Sequence, residues 1–421
     1  MAKRQRKERR KRAAAASASN RAARRARLDA DFRAYARNLY SPYLPSPILD
    51  AETGHASVPA SGQSLGVDVG WAAMQGWRRG QEDAHVVDVR FDRAVALFCV
   101  FDGHGGGEVA TFAADAFGAL LRKTEAYAAG DYGRALYETF FAVDDAIRAD
   151  PSGMRRRKRA HGASTAATNA AHLGSAAPPA SDDDEEEEEE DGGGTAPRLS
   201  APGFASGATA CVALLDRSRR ALYVANAGDS RCVLARTGCG KRAAPLPVAL
   251  SADHKPEDPL ERARVESAGG VVTREGRIDG NLNLSRALGD LCYKDDATRS
   301  PAAQKLSAEP DVVRYRLCDA DRGFALVCDG ITGARDDAAI VEELGFGGAA
   351  FRDADLAANA ADLCAACVAP DTGGDGTGCD NETVLCVRFR PTALTHALPE
   401  APTTLKLDPP PYAHLPPYVG V

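Results

Sequence analysis

The chain has 421 residues, 44% of them hydrophobic and 6% aromatic, enough for one large domain or two ordinary ones with a sizeable core. No run approaches the roughly 18 uninterrupted apolar residues of a membrane span, and no apolar leader opens the chain, so neither a transmembrane helix nor secretion is expected. The net charge of −7 hides a segregation: residues 1–27 carry twelve Lys/Arg against one Glu, which leaves −18 on the remainder. An acidic protein with a basic arm does not read as a nucleic-acid-binding core, although the arm itself suits nucleic acid, an import receptor or an acidic membrane.

Residues 1–35 read as a basic, Ala/Arg-rich arm, expected to be disordered or a fraying helix. From about residue 66 a globular pattern begins, with a strand predicted at 95–101 and helices at 107–122 and 132–149. Residues 152–203 lose that periodicity and hold Arg155 to Arg159, many small residues and ten consecutive carboxylates from Asp182 to Asp191. Such a stretch buries too little apolar surface to offset its ordering entropy and is expected to be a disordered insertion. Globular patterning resumes at 204, with strands expected at 208–215, 221–226, 231–236, 324–328 and 383–389 and helices at 257–268, 336–344 and 354–368. Residues 391–421 are Pro-rich and read as an extended tail.

The strands are apolar on both faces, which predicts an α+β fold: a β-sandwich of two antiparallel sheets with helices outside, four layers in all. The eleven cysteines are scattered singly, many within apolar runs, as expected of buried free thiols in a reducing compartment. Cys364 and Cys367 have the spacing of half a zinc site but lack a second pair, and they too read as buried thiols.

The acidic residues of chemical interest stand at strand ends. Asp102 follows AVALFCVF and precedes Gly103-His104-Gly105-Gly106-Gly107; Asp329 follows GFALVC; Asp380 precedes TVLCVRF; Glu82 and Asp83 lie ahead of another short strand. One Asp-Gly is a turn as readily as a ligand. Several carboxylates at the ends of buried strands are costly unless a cation compensates them, and ligands that are all oxygen suit Mg²⁺ or Mn²⁺.

Nine segments, in order, carry a resemblance to the type 2C metal-dependent protein phosphatases: MQGWRRGQEDAH (74–85), VFDGHGGGEVA (100–110), SGATACVALL (206–215), VANAGDSRCVL (224–234), DHKPEDPLERARVESAGGVV (253–272), GNLNLSRALGD (280–290), AEPDV (308–312), LVCDGI (326–331) and GCDNETVLCV (378–387). The resemblance spans roughly 66–390 and implies a catalytic domain interrupted by the insertion. It implies a serine/threonine phosphatase in which Asp102 bridges two Mg²⁺ or Mn²⁺ ions, Asp329 and Asp380 complete one, and Glu82 and the Gly103 carbonyl serve the other, with Asp83 in support. Arg78 would grip the substrate phosphate, His104 would protonate the leaving oxygen, and a metal-bridging water would be the nucleophile.

The wording of NAGDSRCV, DHKPED and GNLNLSRA, with the acidic insertion, is similar to the gamma-type nuclear members. It implies a nuclear or cytoplasmic monomer acting on phosphoproteins, including basic nuclear ones. Two departures stand out: Asp329-Gly330-Ile331-Thr332-Gly333 lacks the family's Trp and second acid, and Phe204-Ala205 replaces an Asp. Both imply loss of a weak third metal site. The competing expectation is a weakened pseudophosphatase serving as a scaffold.

Overall fold

The computed structural model describes residues 41–62, 64–172, 205–237, 244–347, 351, 353–390 and 401–407. Two six-stranded antiparallel sheets share one core. The first runs, in spatial order, β17 (Thr403–Thr404), β14 (Asp311–Arg316), β10 (Ala221–Ala227), β9 (Ala210–Asp216), β6 (Val95–Phe101) and β5 (Ala84–Asp88). The second runs β12 (Leu246–Ala249), β11 (Arg231–Arg236), β15 (Asp321–Val327), β16 (Glu382–Arg390), β3 (Gly66–Met74) and β2 (Glu52–Val58). Two small sheets flank them: β1 (Tyr43–Ile48) with β4 (Gly76–Arg78), and β7 (Gly103–His104), β8 (Gly207–Ala208) and β13 (Leu288–Gly289).

The two-sided apolarity of β6 has a direct cause. Ala96, Phe98 and Val100 point between the sheets, while Val95, Leu97, Cys99 and Phe101 point under helices α1 (Glu108–Lys123) and α3 (Tyr132–Ala149). Successive side chains alternate faces, so a strand covered on both sides must be apolar throughout. Phe98 meets Phe324 of the opposite sheet edge-on at 5.5 Å, and Phe117 meets Phe140 in the helical layer at 5.6 Å. Helix α2 (Glu125–Ala128) is a single turn between α1 and α3. Helices α7 (Asp337–Glu343) and α8 (Leu356–Cys367) cover the second sheet; Asp336 and Asp355 cap them by accepting from Ala339 N and from Ala357 and Ala358 N. Helix α5 (Pro259–Ser267) belongs to a lobe with its own small core of Val265, Val272, Ile278, Leu284, Ala287 and Leu306.

The expected four-layer α+β sandwich is therefore what the chain forms. The boundaries differ in three places. β1 and β2 precede the expected start at 66, with β2 pairing along β3 from Glu52↔Ala73 to Val58↔Val67; its exposed polar face concealed it. Residues 152–172, assigned to the insertion, form all but the first residue of helix α4 (Pro151–His172). That helix has a weak apolar face, but it is rich in alanine and arginine, both good helix formers. Thr403–Thr404, within the expected tail, adds a short edge to the first sheet. The arm 1–35, the acidic run 182–191 and Phe204 lie outside the described residues. Among those described, no helix is long and apolar enough to cross a membrane. All the described cysteines are free, Cys364 and Cys367 among the buried ones.

Candidate functional site

The site gathers at one end of the sandwich, where β6, β15 and β16 meet their loops. Asp102 leaves β6; its backbone is tied to Thr209, whose N–H donates to the Asp102 carbonyl at 2.9 Å and whose hydroxyl lies 2.6 Å from Ser230 Oγ. Asp329 opens the one-turn helix α6 (Asp329–Thr332) after β15, and its N–H donates to Asp102 Oδ2 at 3.3 Å. Asp380 precedes β16 and accepts from Arg78 Nη2 at 2.6 Å. Thr383 donates to Asp83 Oδ2 at 2.5 Å. Residues 227 and 302 positions apart are thus brought into contact where the packed sheets and their loops meet.

Asn381 holds the Glu82 loop in place. Its Oδ1 accepts from Glu82 N, and its Nδ2 donates to the carbonyls of Gln75 and Gly80, all at 2.9 Å. Gly103 then passes so close to this loop that a Cβ on it would lie 2.2 Å from the Glu82 carbonyl, which is why only glycine fits.

The electrostatics of the cluster favour a bound positive charge. Burial raises Asp102 well above the usual carboxylate range, and Asp329 and Asp83 repel it further. Burial likewise raises Asp329, with Asp229 and Asp380 adding to it, and raises Asp83, with Asp380 and Glu82 adding and the Thr383 hydroxyl opposing. Glu82 is raised by burial against the opposing Gly106 N–H. Buried carboxylates that repel one another, with the Cys328 thiol hydrogen-bonded to Asp83 beside them, fit a hard divalent cation. The side chains do not yet enclose a point: among the described residues no three His, Cys, Asp or Glu side chains form a closed cation cage. Arg78, the residue expected to grip the phosphate, is paired with Asp380 at 2.6 Å.

His104 stands on β7 of the three-stranded sheet. The register His104↔Gly207 and Gly289↔Gly207 carries Asp290, 186 residues away, to its side, with Nε2 and Oδ2 2.6 Å apart. A Cβ on Gly207 would sit 2.1 Å from Asp290 Oδ2 and 2.7 Å from His104 Nε2, so the pair crosses over a glycine. Burial pushes the imidazole down, but the Asp290 carboxylate outweighs it and the net shift is upward. Asp290 takes a left-handed φ of +49°, an unusual conformation for a non-glycine residue.

All eight residues singled out in the sequence (Arg78, Glu82, Asp83, Asp102, Gly103, His104, Asp329 and Asp380) lie at this end of the sandwich. Three more stand with them: Asp229 in NAGDSR and Asp290 in SRALGD, which read in the sequence as acids holding loops near the site, and Glu382, which was not singled out. Asp229 is buried, paired to Lys255 Nζ, and its Oδ1 has no hydrogen-bond partner among the described residues. Asp290 holds His104. Glu382 is buried with both carboxyl oxygens unpartnered among the described residues, and burial, with Asp83 and Asp380, pushes it up to about 9. An acid two residues beyond Asp380, opening an apolar strand, was the only signal for it. His254 instead organises a loop, its Nδ1 accepting from Gly228 N at 3.2 Å. His85 packs on Trp71 at 5.9 Å.

Residues 67–172 and 186–370 match the family described as "Protein phosphatase 2C". The chain is 36% identical over 331 residues to "Probable protein phosphatase 2C 58" of Oryza sativa subsp. japonica, covering 78% of this chain and 85% of that protein. It is 37% identical over 350 residues to "Probable protein phosphatase 2C 6" of Paramecium tetraurelia, covering 83% of this chain and 99% of that one. Among solved structures, a phosphatase from a pathogenic strain of Toxoplasma gondii superposes with a TM-score of 0.56 at 22% identity, covering 85% of this chain and 100% of that chain. That last likeness concerns the fold.

Proposed function

The chain belongs to the protein phosphatase 2C family and is a protein serine/threonine phosphatase, and we propose that it works with two divalent cations, Mg²⁺ or Mn²⁺, held at the Asp102 cluster. The observation that supports this most is the set of buried, mutually repelling carboxylates Asp83, Asp102 and Asp329 at adjoining strand ends, with only oxygen donors among them. In this reading Asp102 would serve both ions, Asp329 and Asp380 would help hold one, and Glu82 and the Gly103 carbonyl would help hold the other, with Asp83 in support. When bound, the ions supply a water activated for in-line attack and offset the charge that builds on the phosphoryl group.

The chain's own residues do the rest. Arg78 Nη2, now on Asp380, is the fork of donors nearest the cluster and would orient the phosphate. His104, kept protonated by Asp290, delivers a proton to the leaving serine or threonine oxygen. By the family resemblance Gly333 replaces an acid of a third ion site, so the proposal stops at two ions. The scaffold alternative is disfavoured because each of these side chains is present and gathered at one end of the fold.

The test is release of phosphate from a phosphothreonine peptide with Mn²⁺, with EDTA, and in Asp102→Ala. We expect activity that EDTA abolishes and Mn²⁺ restores, and a loss of at least about 10³-fold in the variant, in the range for removal of a major electrostatic group. Activity indifferent to EDTA and to Asp102 would sink the cation reading.

A further inference from the structure

Helix α4 touches both loops that carry the Glu82 and Gly103 side of the site. Its C-terminal half is tied to the first loop: Asn169 Nδ2 donates to the Arg79 carbonyl at 2.6 Å, and its Oδ1 accepts from Gln75 Nε2 at 2.9 Å. Thr165 lies against Gly80, where a Cβ would be 3.5 Å from its side chain. Its N-terminal half is tied to the helix that follows the second loop. Arg157 donates to Asp115 at 2.6 Å and lies over the Phe112 ring at 5.4 Å, and Lys158 Nζ is 3.8 Å from the buried Glu108 carboxylate.

Between these two anchorages His161 is wedged onto Gly107. A Cβ on Gly107 would lie 2.5 Å from the ring Cε1 and 2.7 Å from Nε2, and a Cβ on Gly80 would lie 3.9 Å from the same nitrogen. The ring therefore touches the turn after His104 and reaches the turn before Glu82. Its Nε2 is buried without a hydrogen-bond partner among the described residues, an expensive arrangement for a side chain that only fills space. The Glu82 carboxylate also accepts from Gly106 N, next to the glycine that His161 presses on, and it is close enough for the imidazole to act on it electrostatically.

We propose that His161 is a positioning residue: lodged between the Gly80 and Gly107 turns, it sets the spacing of Glu82 and the Gly103 carbonyl, and thereby the affinity of one of the two cations. The inference rests on the cation reading of this site. It gives helix α4 a role beyond covering the surface, since residues that orient ligands typically change metal affinity by about 10- to 100-fold when removed.

Mn²⁺ would be titrated calorimetrically into the metal-free full chain, wild type beside His161→Ala, His161→Gln and Asn169→Ala, with the thermal midpoint of each recorded. Expected are two binding steps in the wild type, one of them weakened about tenfold by His161→Ala and the other changed by less than about twofold. His161→Gln, which keeps a polar atom near Nε2, should recover most of the loss. Asn169→Ala, which removes only two hydrogen bonds at the far end of the helix, should weaken the same step and carries the test if His161→Ala does not fold. Unchanged affinities in the variants overturn the proposal. So does an equal loss at both steps accompanied by a lower midpoint, which would mean general loosening. A wild type that binds no Mn²⁺ overturns the cation reading itself, and this inference with it.

Discussion

His104 shows how one contact sets a residue's chemistry. Burial alone would leave the imidazole neutral near pH 7 and useless as an acid. Asp290, at 2.6 Å, raises its pKa instead and keeps the proton available. Asp290 is itself held on an unusual backbone, the preceding Gly289 N–H donating to Asp144 Oδ1 at 2.7 Å. The acid role predicts that His104→Ala lowers kcat on a phosphothreonine peptide by about 10²- to 10⁴-fold. On para-nitrophenyl phosphate, whose leaving group needs no proton, the loss should be much smaller. Asp290→Asn should move the basic limb of the kcat/KM profile to lower pH, because the imidazole then gives up its proton earlier. Equal losses on both substrates, or an unmoved basic limb, would remove His104 from that role.

At the scale of elements, the site depends on loops sewn to strands by a few side-chain bonds. Asn381 makes three, to Glu82 N and to the Gln75 and Gly80 carbonyls, and so fixes the β4–β5 connection against β16. Truncating it leaves buried backbone groups unpaired, at about 1–3 kcal/mol. Asn381→Ala should therefore lower the unfolding free energy by an amount in that range, read as a lower urea midpoint with an unchanged slope, and loosen the Glu82 loop, seen as faster amide exchange at Glu82. A variant with wild-type stability and exchange would show that the loop is held elsewhere.

At the scale of the molecule, the lobe around α5 is fastened to the sandwich by charge as well as by its small core. Glu261 accepts from Arg286 Nη2 at 2.7 Å and from the Ser285 hydroxyl at 2.5 Å and pairs with Arg264 at 2.7 Å, while Arg286 reaches Asp311 on β14 at 2.9 Å. Burial pushes the Glu261 carboxyl up, and the two guanidiniums more than reverse it, from 4.5 to about 2. A lowered carboxylate pKa adds stability that is complete above the unfolded value and is lost as pH falls through the folded one. The contribution, about 3 kcal/mol by that linkage, should be present at pH 5 and above and gone near pH 2. Denaturation followed from pH 6 to pH 2 should show this slope in the wild type and a shallower one in Glu261→Gln; identical slopes would place the acid sensitivity elsewhere.

Much of this was legible in the linear chain because it depends on near neighbours. The two-faced apolar run 95–101 could only be a covered strand, the periodic run after it could only be a helix, and glycines beside Asp102 marked backbone that something approaches closely. β2 escaped notice because an edge strand with one wet face lacks that signal, and α4 because its helix-forming residues adjoin a run of carboxylates. The cluster of Asp102, Asp329 and Asp380 was visible as strand-end acids. What tertiary structure alone decided is which groups meet: Arg78 with Asp380, His104 with Asp290, Glu382 behind the cluster and His161 on Gly107. Those pairings join residues 54 to 302 positions apart and turn on burial and register, which local sequence does not encode. The chemistry was written in residue types at strand ends; its geometry and its proton balance come from the sandwich that packs those ends together.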